Sequence, residues 1–298
     1  MIKPVARSIL QWLKGCCDTT FSALLIGAFS RKVDFRLALA THTEVVLLGN
    51  GPSLTGDLEL NPRLGAGRDL MCVNNFVFSE DFVRLKPSYY AVMDPFYWAS
   101  EAPASVLVER ERFFECLKSR TAWPMNLLLP LECRFSEIWK QANLCANTRI
   151  KVRFFNRTPV SGFKWFRNLA YAHDLGMPWS QNVLVGSAFL CVGLGFKRIY
   201  VLGADHSWHE EICVGKDNVL YLKQKHCYDA EEDVPLEPVY KPNTNEAFKM
   251  HELFAAWSRV FLGHLQVAEY ARERGVEILN ASSKTYIDAF ERIDVRAL

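Results

Sequence analysis

From residue 44 onward, short runs of β-branched and aliphatic residues alternate with stretches of helical periodicity, and that alternation leaves few topologies open. Successive strand–helix–strand units close by crossovers, so they build a parallel sheet covered by helices on both faces. Residues 44–48 are the first compact apolar run, ending at Gly49, and 69–74 and 88–93 are the next two. Segments 127–129 and 150–155 are weaker strand candidates, and 198–203 is the most convincing. Residues 183–196 are apolar nearly all round and contain Gly186, Ser187, Ala188 and Gly193, as suits a helix buried closely against a sheet. Residues 245–274 read as one long helix or two abutting ones, stopped by Gly275 in a left-handed cap. A last strand follows at 276–279, and Ser283 is placed to cap a short final helix. The expected fold is α/β: a Rossmann-like, doubly wound, mostly parallel sheet with a lid excursion and an N-terminal helical arm.

The chain of 298 residues is half hydrophobic and 23% charged, which excludes a disordered or low-complexity polymer. A net charge of +2 produces no field that would recruit nucleic acid. Nine cysteines, an odd number without a C-x-x-C pair, fit a reducing, cytoplasmic setting better than a disulfide framework. Residues 1–40 form a basic arm of net charge +4, whose apolar run at 21–29 is too short to span a bilayer. Such an arm either packs on its own domain or on a partner subunit of a homo-oligomer, or lies peripherally on the inner face of the cytoplasmic membrane. Residues 41–298 then make one Rossmann-like domain. Within it, 206–243 carry Pro235, Pro238 and Pro242 and no long periodic element, as in a lid crossing the strand ends.

The strongest local signal is Gly49-Asn50-Gly51-Pro52-Ser53-Leu54, directly after a strand. Two glycines permit a tight turn and close approach of a ligand, and free amides at the end of a parallel strand suit a phosphate. Leu54 stands where a dinucleotide fingerprint needs its third glycine, and no lysine follows as in a Walker loop. Asn74-Asn75 and Asp94 end the next two strands, so all three segments are expected to converge on one crevice at the carboxyl edge of the sheet. Asp205 ends the strand at 198–203 and serves as a polar anchor. Asp205-His206-Ser207 is no hydrolase triad, because neighbours on an extended chain point to alternating sides. A zinc site from His206, His209, Cys213, His226 and Cys227 matches no standard ligand spacing. Histidine is the usual general base for a sugar hydroxyl, and His226 on the lid, His251 and His264 on the long helix are the candidates.

The glycine-proline-serine loop, Val73-Asn74-Asn75-Phe76, and Gly186-Ser187 followed by the run from Leu194 to Asp205 resemble the bacterial CMP-sialic-acid-dependent sialyltransferases of surface-glycan synthesis. The wider group sharing this pattern is the 6-hydroxymethylpterin diphosphokinase-like domains, including flagellin nonulosonate transferases. The resemblance implies a glycosyltransferase that moves a sugar, such as a sialic-acid-like nonulosonate, from a CMP-linked donor to a glycan or lipid-linked acceptor. It implies that Asn50, Ser53 and Asn74 touch the donor; Gly49, Gly51, Pro52, Asn75, Asp94, Gly186, Ser187, His206, Ser207 and His226 complete the residues expected to border the substrates. Ser207 stands where the family carries the first of two phosphate-stabilising tyrosines, so Tyr221 or Tyr228 would substitute. The general base would be His251, near the start of the helix, with Asp205 in the Gly-x-Asp strand. No cofactor is required, and Mg2+ would at most stimulate. Two other readings are a magnesium-dependent pyrophosphokinase and a non-catalytic nucleotide-binding subunit; the Asp-Leu-Asp-Gly metal motif expected of the first does not occur.

Overall fold

The structure, a computed structural model, describes residues 2–99, 104–223, 226–227, 235–241 and 246–298. In chain order the strands are β1 (Glu44–Leu48), β2 (Asp69–Val73), β3 (Tyr89–Ala91), β4 (Met125–Pro130), β5 (Ile150–Phe155), β6 (Arg198–Leu202), β7 (Ile212–Val214), β8 (Leu220–Leu222), β9 (Glu237–Pro238), β10 (Glu277–Asn280) and β11 (Glu291–Arg292). The α-helices are α1 (Ile2–Phe29), α2 (Leu54–Leu60), α3 (Asp81–Leu85), α4 (Ala104–Arg120), α5 (Glu137–Ala142), α6 (Lys164–Ala172), α7 (Val183–Leu194) and α8 (Met250–Glu273).

Eight strands make one sheet in the order β11-β10-β6-β1-β2-β3-β4-β5, and its pairings are all parallel. From β1 the chain winds outward to β5, then returns across the sheet to β6 on the other side of β1. The exits of β1 and β6 therefore diverge at a topological switch point, where open α/β sheets bind ligands. The sheet is buried on both faces, which explains why its strands read as continuous apolar runs rather than alternations. Val45 and Leu47 point into a layer built with α7 and α8 through Val185, Leu190 and Val267. Val46 and Leu48 point the other way, against Leu54 and Leu58 of α2 and Phe113 and Leu117 of α4.

α7 is buried nearly all round, as its composition predicts, with Asn182 capping its start and Gly195 (φ +93°) ending it. Gly275 (φ +65°) follows the C-cap Arg274 of α8 as the left-handed stop. The final short helix at Ser283 is absent: the Ser283 amide donates to both carboxylate oxygens of Asp57 at 3.2 Å. A single 3-10 turn, Val295–Ala297, forms instead, capped by Asp294, which accepts from the Arg296 amide. The lid holds a small antiparallel sheet, β7-β8-β9, whose strands are too short to leave a periodic signal in sequence.

Residues after α1 are woven into the domain. Phe35 and Ala38 join the core, the Asp34 carboxylate accepts from the Phe154 amide of β5 at 2.7 Å, and Arg36 pairs with Asp174. No helix among the described residues is long and apolar enough to cross a membrane.

Candidate functional site

The loop after β1 is stitched to the exit of β6. The Gly49 amide donates to the Leu202 carbonyl and the Gly51 amide to the Gly203 carbonyl, both at 2.8 Å. The buried Asp205 carboxylate takes the Ser53 amide at 3.0 Å and the Ser53 hydroxyl at 2.7 Å. Burial pushes the Asp205 carboxyl up from the usual range, and the Ser53 bonds pull against that shift. Asp205 is thus a clamp on the loop. The expectation of free loop amides is corrected on the same grounds, since the Gly49, Gly51 and Ser53 amides all have protein acceptors.

Among the described residues, two side-chain oxygens at this edge are left without partners. Asn50 Oδ1 and Asn74 Oδ1 are buried and unbonded, while Asn50 Nδ2 donates to the Val73 carbonyl at 3.3 Å, which fixes the amide's orientation. Asn74 holds a left-handed backbone (φ 44°), a conformation retained where surrounding structure over-determines it. An unpaired buried acceptor calls for a donor, so these oxygens suit ribose hydroxyls or the amino group of a base.

They border a crevice of about 590 Å³ with Pro52, Ser53, Asp205, His206, Ser207, Trp208, Lys223, His226 and Lys284. The lid's Cys227 amide donates to the Asn50 carbonyl at 3.0 Å, which holds His226 over the loop. The Lys223 ammonium has no acidic partner among the described residues, whereas Lys284 is engaged by Glu210, itself bonded by Tyr286. A second cavity, of about 810 Å³, adjoins the crevice and shares Asn74, Asn182 and Val183 with it. Its walls include Asp94, Phe96, Arg157, Trp179, Phe248 and Trp257.

Several expected site residues lie elsewhere. His251 is exposed on the first turn of α8 and lines neither cavity, because Leu253 and Val260 of that helix face inward. Asn75 joins Glu109 and Tyr97 by hydrogen bonds of 3.0 and 2.5 Å, and so secures the turn after β2. Gly186 leaves room for the Met93 side chain and Ser187 is buried inside α7, behind the walls of both cavities. Asp94 borders the second cavity while capping Pro95–Tyr97 through the Phe96 amide at 2.9 Å. Tyr228 lies outside the described residues. Among those described, no group of three His, Cys, Asp or Glu side chains is placed to hold a metal ion. Sequence reasoning passed over Lys284, although it follows β10 and the strand-end rule used for Asn74 reaches it. Arg157 and Trp257 carry no local signal, since only the fold brings them to the second cavity.

His206 and His264 form a buried pair, Nε2 to Nε2 at 2.9 Å, so one ring donates and the other accepts. Burial pushes His206 well below the usual imidazole range, aided by its partner, and pushes His264 down to about 3. The unfolded chain takes up protons on these rings below about pH 6.5 and the folded pair does not, so stability rises with pH through that window and falls on acidification. His264 alone is expected to cost about 2 kcal/mol between about pH 6.5 and 5. Denaturant midpoints of the wild type and the double variant His206→Phe, His264→Leu check this: the wild-type slope with pH should flatten in the variant, and equal slopes would refute it.

No protein-family model matches the sequence, and no curated protein matches it. Among solved structures, the MAf glycosyltransferase from Magnetospirillum magneticum AMB-1 is similar, with a TM-score of 0.49 and 13% identity over 91% of this chain. The likeness covers 36% of that protein, so the chain spans little more than a third of its length.

Proposed function

We propose that the chain is a glycosyltransferase that holds a nucleotide-sugar donor in the crevice between the β1 and β6 exits and an acceptor in the adjoining cavity. The observation that carries this reading is the shared wall of Asn74, Asn182 and Val183, over which ligands in the two cavities would meet. The Asn50 and Asn74 oxygens would accept from the nucleoside, while Lys223 and the positive end of α7 would favour the donor phosphate. Aromatic walls at Phe96, Trp179 and Trp257 suit the apolar face of a sugar. The motif resemblance favours a CMP-linked nonulosonate as donor.

The reaction would be an in-line displacement. The acceptor hydroxyl oxygen bonds to the anomeric carbon, the bond from that carbon to the phosphate oxygen breaks, and the hydroxyl proton passes to a base. His226 is best placed for this role, since it lines the crevice under the lid. His206 is a poorer base, because burial beside His264 weakens its hold on a proton.

Incubation with a panel of CMP-, UDP- and GDP-sugars, read as nucleotide release, tests the assignment. One donor class should be consumed in the presence of a metal chelator. Consumption of no donor would refute the reading, and magnesium-dependent pyrophosphoryl transfer from ATP would replace it with the pyrophosphokinase alternative.

A further inference from the structure

Helix α1 meets the domain through Gly15, Thr19, Ser22 and Ile26 and leaves most of its large apolar side chains exposed. The Thr19 hydroxyl accepts from the Phe163 amide and the Ser22 hydroxyl from the Ser161 amide, both at 2.9 Å. Gly15 lies so close to the Phe163 ring that a Cβ there would stand 2.7 Å from it. Opposite this seam, Ile9, Leu10, Leu13, Phe21 and Leu24 are between 47% and 67% exposed. At about 100° per residue the seam of Gly15, Thr19, Ser22 and Ile26 is centred about 170° from that apolar arc. A surface helix packed for its own stability would be oriented the other way round.

We propose that the outward face of α1 lies on an anionic lipid surface. Charge selects that occupant. Up to residue 33 the segment holds Lys3, Arg7, Lys14, Arg31 and Lys32 against the single acid Asp18. Lys14 is exposed on one flank of the apolar arc, a position that lets a cation meet lipid headgroups while apolar side chains sink between them. At the foot of α1 a cavity of about 630 Å³, bordered by Ala28, Phe29 and Arg31, shares Arg157, Trp179 and Ser180 with the second cavity.

The full chain is co-sedimented with vesicles of phosphatidylcholine alone and of phosphatidylcholine mixed with phosphatidylglycerol, at low and high salt, and its oligomeric state is measured without lipid. Binding is expected only to the phosphatidylglycerol vesicles and should weaken with salt. The double variant Leu13→Glu, Leu24→Glu should bind roughly tenfold or more weakly, with an unchanged melting temperature because both side chains are exposed. A wild type that stays in the supernatant with anionic vesicles would overturn the proposal. So would a dimer that the double variant converts to a monomer without any vesicle binding, which would assign the face to a second copy. The readout uses no nucleotide, so its failure is separate from failure of the glycosyltransferase reading.

Discussion

Replacing Gly49 by alanine should destabilise the protein by about 1–3 kcal/mol and abolish nucleotide binding. A Cβ at this position would stand 2.4 Å from the Gly203 carbonyl oxygen and 3.0 Å from Leu184 Cδ1. The first neighbour is backbone of β6's exit and cannot swing aside as a side-chain tip would. Relief therefore requires β1 and β6 to part, which breaks the Gly49 to Leu202 and Gly51 to Gly203 hydrogen bonds and shifts the Asn50 carboxamide. At Gly56, a few residues on in α2, a Cβ would meet nothing within 4 Å, so Gly56→Ala should keep nucleotide binding. It should also stabilise α2 by up to about 1 kcal/mol. Thermal melting and nucleotide titration of the two variants check the contrast; equal behaviour would show that the β1–β6 seam does not shape the site.

Removing the His226 imidazole should lower turnover by roughly 10²- to 10⁴-fold, the range typical of a lost general base. His226→Asn should leave donor affinity unchanged, because the nucleoside contacts assigned to Asn50 and Asn74 do not involve the ring. His251→Ala should turn over like the wild type, since His251 faces solvent outside both cavities. Single-turnover rates for the two variants separate them. An inactive His251→Ala beside an active His226→Asn would move the base to α8 and overturn the proton path given above.

The sheet was legible because a parallel strand buried on both faces leaves an uninterrupted apolar run, as at Val45–Val46–Leu47–Leu48, and α7 for the same reason. The convergence expected of the glycine loop, Asn74 and Asp94 holds in part: Asn50, Gly51 and Asn74 border one crevice, Asp94 borders the other cavity, and the return of β6 beside β1 that brings in Asp205 is not set by the βαβ order. What sequence could not show was how those ends are wired. Asp205 lies 152 residues from Ser53, and nothing local signals that its carboxylate takes the Ser53 amide instead of leaving it for a ligand. Asn75 looks like Asn74 in sequence, yet only Asn74 lines the cavities, because Tyr97 and Glu109 claim its neighbour. The helix expected from residue 245 begins at Met250, so His251 sits in its first turn, but its face is set by packing: Leu253, two residues on and about 200° around the helix, turns inward and carries His251 out.

On the proposed function, the crevice between the β1 and β6 exits binds the nucleotide portion of a donor. Calorimetric titration of the wild-type chain with CMP, UDP, GDP and ATP tests it most directly. Single-site binding of one of these nucleotides, without added metal, is expected to disappear in Gly49→Ala and persist in Gly56→Ala. Binding of none of them, or binding that Gly49→Ala leaves intact, would contradict it.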